Sequence, residues 1–115
     1  MILVLGGTSD SLEICDRINK YEDLPYTLSV TTSYGEDLAR KHAKNVITGK
    51  LTKEDMVRFI EKNNINKIID ATHPYAIEVS KNAIQCAKEL NIDYLRYERK
   101  SLIEDISYEN KYIVS

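Results

Sequence analysis

No apolar stretch in this 115-residue chain approaches the roughly 20 residues that a bilayer-crossing helix needs, so a transmembrane helix is excluded. Cysteine is scarce. Cys15 and Cys86 each fall within a helical pattern, without CxxC or Cys/His ligand spacing, which argues against a metal or redox centre and for two small buried hydrophobes in a reducing, cytoplasmic setting. Basic charge is neither in excess nor gathered: 16 Lys and Arg stand scattered against 18 Asp and Glu, so the electrostatic footprint of a nucleic-acid binder is missing and a small-molecule ligand is expected. Low-complexity tracts and internal repeats are absent too, and a chain of this length can bury one core without disulfides or a bound metal. The opening run Met1-Ile2-Leu3-Val4-Leu5 has no basic flank and no small-residue cleavage site, and it leads straight into glycines; it reads as a strand, not a signal peptide.

What is present is alternation. Short apolar runs suited to buried strands fall at Ile2–Leu5, Tyr26–Thr31, Val46–Thr48, Lys67–Ala71 and Asp93–Tyr97, each followed or preceded by a segment of helical period. The helical stripes are Leu12, Cys15 and Ile18; Leu38, Ala39, His42 and Ala43; Met56, Val57 and Ile60; and Ala76, Val79, Ala83, Ala87 and Leu90, widened by Ile77 and Ile84. Asp10 with Glu13, Ser33 with Glu36, and Thr52 with Asp55 are the expected helix starts, Leu51 stapling onto Met56 in the last case. Pro74 suits the first turn of the long fourth helix, and Asn63-Asn64 ends the third. The expected fold is α/β: an open parallel sheet of about five strands with helices on both faces. From Glu98 the periodicity fades until Tyr112-Ile113-Val114, which reads as the opening of another strand.

In such a sheet ligands bind beyond the carboxyl ends of the strands. After the first strand, Gly6-Gly7-Thr8-Ser9-Asp10-Ser11 enters a helix amino terminus, where N–H groups and the helix dipole favour a phosphate. The match to GxGxxG is partial, because Thr8 and Ser11 hold the second and third glycine positions, and the same glycines equally suit a tight turn with no ligand. After the second strand stand Thr31-Thr32-Ser33 where an NAD site often places an acid; hydroxyls there, with Arg40 or Lys41 nearby, favour NADPH over NADH. After the fourth strand, Asp70-Ala71-Thr72-His73-Pro74-Tyr75 puts an acid, a hydroxyl and an imidazole in one turn, and His73 suits proton donation or a substrate carboxylate. His42, by contrast, has no partner in view. After the fifth strand, Arg96, Glu98, Arg99 and Lys100 surround Tyr97, a run that suits an acidic ligand or a solvated face.

The stretches LVLGGTSDS, VITGKLTKEDM and DATHPYAIEVSKNAIQCAKELNIDYLRYERK resemble the precorrin-6A reductases, including the cobalt-precorrin branch, from about Leu3 to Lys100. The resemblance implies a Rossmann-like fold and NAD(P)H-dependent reduction of a tetrapyrrole in cobalamin biosynthesis. Gly6, Gly7, Thr8 and Ser9 match the nucleotide-phosphate turn; Thr72, His73 and Pro74 match a loop facing the active cleft, with Tyr75 where the family commonly has phenylalanine; Arg99 matches the basic position closing the fifth strand. Thr32 and Ser33 join the cofactor set, Thr72, Pro74, Tyr75 and Arg99 the substrate set, and His73 is the candidate catalytic residue; no metal is expected. Residues 1–100 are then the amino-terminal domain, and 101–115 a linker and the start of a second domain absent after Ser115. The surface left by that domain implies a partner chain or a homodimer, neither nucleic acid nor membrane being an expected partner, and turnover by this chain alone is not expected. Two other readings compete: a nucleotide-binding module without catalysis, and a dihydrodipicolinate-reductase-like oxidoreductase, against which the LRYERK and GKLTKED stretches argue.

Overall fold

The computed structural model describes residues 1–21 and 23–97, the side chain of Tyr34 excepted. Strands and helices alternate in the order β1 (Ile2–Leu5), α1 (Ser9–Ile18), β2 (Tyr26–Val30), α2 (Ser33–Ala39), β3 (Val46–Thr48), α3 (Lys53–Lys62), β4 (Lys67–Asp70), α4 (Ile77–Leu90) and β5 (Asp93–Arg96). All strand pairs are parallel, and the sheet order is β3-β2-β1-β4-β5. The expected Rossmann-like architecture is the one observed.

Period-two alternation in β1 builds two cores. Ile2 and Val4 meet Cys15 and Ile18 of α1, Leu28 and Val30 of β2, and Ala39 at the end of α2. Leu3 and Leu5 point the other way, onto Met56 and Ile60 of α3 and Ala83, Cys86 and Ala87 of α4. Both cysteines are buried and unpaired, as small hydrophobes should be. Fully buried Leu3, Leu5 and Leu28 each contribute about 1.5–3 kcal/mol relative to exposure. Right-handed crossovers explain the layering: the chain leaves β1 through β2 to β3 with α1 and α2 on one face, then returns past β1 to β4 with α3 and α4 on the other. The reversal of direction between β1 and β4 opens a crevice at their carboxyl ends.

Helix starts differ from expectation in three places. Thr8, not Asp10, caps α1: its Oγ1 accepts from the Ser11 N–H, and the Ser11 side chain completes the capping box. Thr32, not Ser33, caps α2, accepting from the Gly35 N–H at 3.0 Å. The fourth helix begins at Ile77 with Ala76 as its cap, so Pro74 precedes it in a turn closed by the Ala76 N–H on the His73 carbonyl at 2.9 Å. Ile77 and Ile84 are exposed on α4 and do not widen its buried stripe. The Thr52–Asp55 box on α3 is as expected, and Leu51 packs on the core that holds Met56. α2 ends at Ala39, so His42 lies beyond it and is partnered after all, its Nδ1 standing 3.0 Å from Asp16 Oδ1.

Candidate functional site

Two turns form the walls of the crevice. The first runs from β1 through Gly6-Gly7 into α1. A Cβ on Gly6 would stand 2.7 Å from Leu28 Cδ1 and 3.2 Å from the Ser29 carbonyl oxygen, so close packing excludes a side chain there. Gly7 is different. Its φ of +105° disfavours any L side chain, yet among the described residues nothing lies within 4 Å of where its Cβ would be, so they leave the space beside its backbone open. Ser11, in the third position of the glycine pattern, is fully buried and donates to the Thr8 carbonyl at 2.6 Å.

The second wall is the Ala71-Thr72-His73-Pro74 turn after β4. Thr8 Oγ1 donates to the Ala71 carbonyl at 2.6 Å and thereby ties the two turns together. Thr8→Ala removes both this bond and the α1 cap; it is expected to cost about 1–2 kcal/mol of stability in chemical denaturation, with Thr8→Ser, which keeps the hydroxyl, recovering most of that loss. His73 is exposed and stacks obliquely on Tyr75, ring centroids 4.8 Å apart. Its Nδ1 accepts from the Tyr75 N–H at 3.2 Å, so the neutral ring carries its proton on Nε2.

Behind this turn lies a buried polar cluster that the sequence reading missed. The Asp70 carboxylate, fully buried, accepts from five donors among the described residues: the Thr72 N–H (3.1 Å), Thr72 Oγ1 (2.7 Å), Arg96 Nη1 (3.0 Å), Ser80 Oγ (2.6 Å) and Tyr94 Oη (2.6 Å). Burial pushes its carboxyl up, but the bonds from Ser80, Tyr94 and Thr72 outweigh that and hold it below the ordinary carboxylate value. Tyr94 is pushed the opposite way, first by burial and then by its bond to Asp70. Arg96 therefore does not belong to a solvated basic run; it pairs inward, opposite Asp70 in the β4–β5 register. That register was the available signal, an acid closing an apolar strand and a base closing its neighbour.

A cavity of about 200 Å³ lies between the turns, and Gly6, Gly7, Thr31, Gly49, Thr72 and His73 are among its lining residues. An adjoining open groove of about 540 Å³ is bordered by Thr31, Lys50, Leu51, Tyr75 and Ile77, with Tyr75 85% exposed. Four of the expected site residues, Gly6, Gly7, Thr72 and His73, thus share one crevice, with Thr8 bonded across it and Tyr75 on the adjoining groove. Ser9 opens α1 at the surface; Thr32 and Ser33 are exposed at the end of β2, beside Thr31. Arg40 is bound to Glu36, Nε to Oε2 at 2.9 Å. Arg99 lies outside the described residues. Among the described residues no group of His, Cys, Asp and Glu could hold a metal ion, and no helix is long and apolar enough to cross a membrane.

An all-parallel sheet in this order, with a glycine turn and a second loop facing each other across a crevice at its switch point, defines a Rossmann-like α/β domain. The chain belongs to the precorrin-6x reductase CbiJ/CobK family, whose description matches residues 1–114. It is 46% identical over 109 residues to the cobalt-precorrin-6A reductase of Methanocaldococcus jannaschii, covering 95% of this chain and 43% of that protein. It is 44% identical over 116 residues to the cobalt-precorrin-6A reductase of Priestia megaterium, covering 100% and 44%. The chain thus spans less than half the length of these relatives. Among solved structures, a CobK precorrin-6A reductase superposes with a TM-score of 0.72 at 22% identity, over 86% of this chain and 37% of that one. A saccharopine dehydrogenase from Saccharomyces cerevisiae follows at 0.68 and 16%, over 88% and 22%. At such identities these two likenesses speak for the fold.

Proposed function

We propose that this chain is the nucleotide-binding, amino-terminal part of a precorrin-6A reductase, acting with NADPH on precorrin-6A or its cobalt-containing counterpart in cobalamin biosynthesis. The observation that carries the reading is the pair of turns joined by the Thr8–Ala71 bond across a crevice at the switch point, together with membership of the family. Open space beside Gly7, at a helix amino terminus, suits a pyrophosphate: backbone can approach it closely, and the N–H groups and dipole of α1 oppose its charge. A 2′-phosphate would meet the hydroxyls of Thr32 and Ser33, with Lys41 as the nearby cation, since Arg40 is held by Glu36. This favours NADPH over NADH. When bound, the nicotinamide supplies the hydride for one double bond of the macrocycle.

On this reading the rest of the work is orientation. In its neutral form His73 offers Nε2–H as a hydrogen-bond donor to the substrate, the tautomer that the bond from the Tyr75 N–H fixes, whereas the proton that the reduction needs would come from the imidazolium form, which gives up that bond, or from water. Thr72, Pro74 and Tyr75 form the substrate-facing edge, and Arg99 supplies a fork for a substrate carboxylate. Residues 1–100 on this reading form this domain and 101–115 a linker and the start of a second one, which a longer chain or a partner chain supplies in a cytoplasmic setting; a homodimer is the other way to cover the surface between them. The test is a titration of the chain with NADPH and with NADH, followed by nicotinamide fluorescence. Saturable binding, tighter for NADPH, is expected, without corrin reduction by this chain alone. Binding of neither nucleotide would move the cofactor out of this half, and turnover by the isolated chain would refute the division of labour.

A further inference from the structure

We propose that Arg96, acting with Asp70, is a positioning residue for the nucleotide crevice: it fixes the Ala71-Thr72-His73 backbone and, through Thr8, the glycine turn on the opposite wall. The inference rests on the reading of that crevice as the nucleotide site. Its ground is how completely two successive peptide groups are held. The Ala71–Thr72 peptide has its carbonyl bonded by Thr8 Oγ1 at 2.6 Å and its N–H bonded to Asp70 Oδ1 at 3.1 Å. The Thr72–His73 peptide has its carbonyl bonded by Arg96 Nη2 at 2.9 Å. Arg96 Nη1 reaches both Asp70 Oδ1 at 3.0 Å and Thr72 Oγ1 at 2.9 Å, so one planar guanidinium sets the Thr72 side chain and the following carbonyl together.

The linkage continues in one direction. Thr8, which receives the turn through Ala71, also caps α1 by accepting from the Ser11 N–H at 3.2 Å, and it directly follows Gly7. A side chain on β5 therefore governs the entrance of α1 through three hydrogen-bonded steps. Arg96 is not among the residues lining that cavity. A lysine at this position can keep a charge near Asp70 but has no fork with which to hold the Thr72 carbonyl as well.

The experiment compares Arg96→Lys and Arg96→Met with the parent chain by NADPH titration and by ¹H–¹⁵N spectra. Tyr26→Phe serves as a control, losing the bond from Tyr26 Oη to Asn19 Oδ1 that lies away from the crevice. Roughly tenfold weaker NADPH binding is expected for Arg96→Lys and a larger loss for Arg96→Met, the scale on which small misplacements act. Tyr26→Phe should bind as the parent does. The amide signals of Gly7, Thr72 and His73 should move in the Arg96 variants while those of β3 stay in place. Parent-like binding by both Arg96 variants overturns the proposal, as does an equal loss in Tyr26→Phe, which would mark a general stability effect. If Arg96→Met does not fold, Arg96→Lys decides. If the parent itself binds no NADPH, the nucleotide reading fails separately, and the Gly7 signal then decides: unmoved in the Arg96 variants, it overturns the linkage; moved, it upholds it.

Discussion

Asp70→Ala is expected to destabilise the domain by about 3–5 kcal/mol, the scale for removing one partner of a buried ion pair. The loss is large because the carboxylate is the shared acceptor of Arg96, Thr72, Ser80 and Tyr94, and alanine leaves each of them short of a partner in a place with little water. Asp70→Asn keeps the volume and one acceptor oxygen and should cost less, yet it still strips Arg96 of its counter-charge. The pH dependence follows from the lowered carboxyl. The unfolded chain binds the proton more readily than the folded one, so the stabilisation from Asp70 is complete above the ordinary carboxylate value and is lost as pH falls through the lower folded value. Stability should therefore rise with pH across the acid range in the parent, and this part of the curve should flatten in Asp70→Asn. Urea midpoints at a series of pH values measure both effects. An Asp70→Ala midpoint equal to that of the parent would show the cluster to be energetically idle.

The sheet was legible because its signals are local. Each β strand announces itself by a short apolar run, and the observed bounds differ from the expected ones by a residue at most. Cap positions were harder, for a physical reason. Thr8 and Asp10, like Thr32 and Ser33, are all capable caps, and the choice falls on whichever residue the strand leaves extended; Thr8 has φ −133° and Thr32 has φ −129°. The late start of α4 depends on tertiary contacts that no local pattern carries. Asp70 and Arg96 lock Thr72 into the turn, so it cannot serve as a cap, and helix begins only after Pro74 and Tyr75 have passed. The polar cluster lay deeper still. It joins positions 70, 72, 80, 94 and 96, whose meeting is set by the β4–β5 register and by the packing of α4, and Arg96 taken with its sequence neighbours reads as part of a charged run for an acidic ligand or a solvated face.

Gly7→Val is expected to weaken NADPH binding by a hundredfold or more, about 2.8 kcal/mol, while leaving a cooperatively folded chain. The two glycines of the turn separate the requirements of the fold from those of the ligand. At Gly6 a methyl group would press on Leu28 and Ser29 within the protein, so Gly6→Ala should destabilise the fold through overpacking by about 1–3 kcal/mol and lower the thermal midpoint accordingly. At Gly7 an added Cβ meets no atom of the described residues within 4 Å, and the fold pays only for holding a side chain at φ +105°, about 1–3 kcal/mol. Whatever further loss appears on binding must then come from the space outside the backbone, where the pyrophosphate is proposed to lie. Gly7→Ala isolates the two contributions. It carries less backbone strain at the same φ than β-branched valine, and a much smaller side chain, so a binding defect that grows from alanine to valine by more than their melts differ reports obstruction of a ligand, and one that only follows the melts reports distortion of the turn. Calorimetric titration of both variants beside their thermal melts distinguishes these outcomes, and parent-like binding by Gly7→Val would remove the phosphate from this turn altogether.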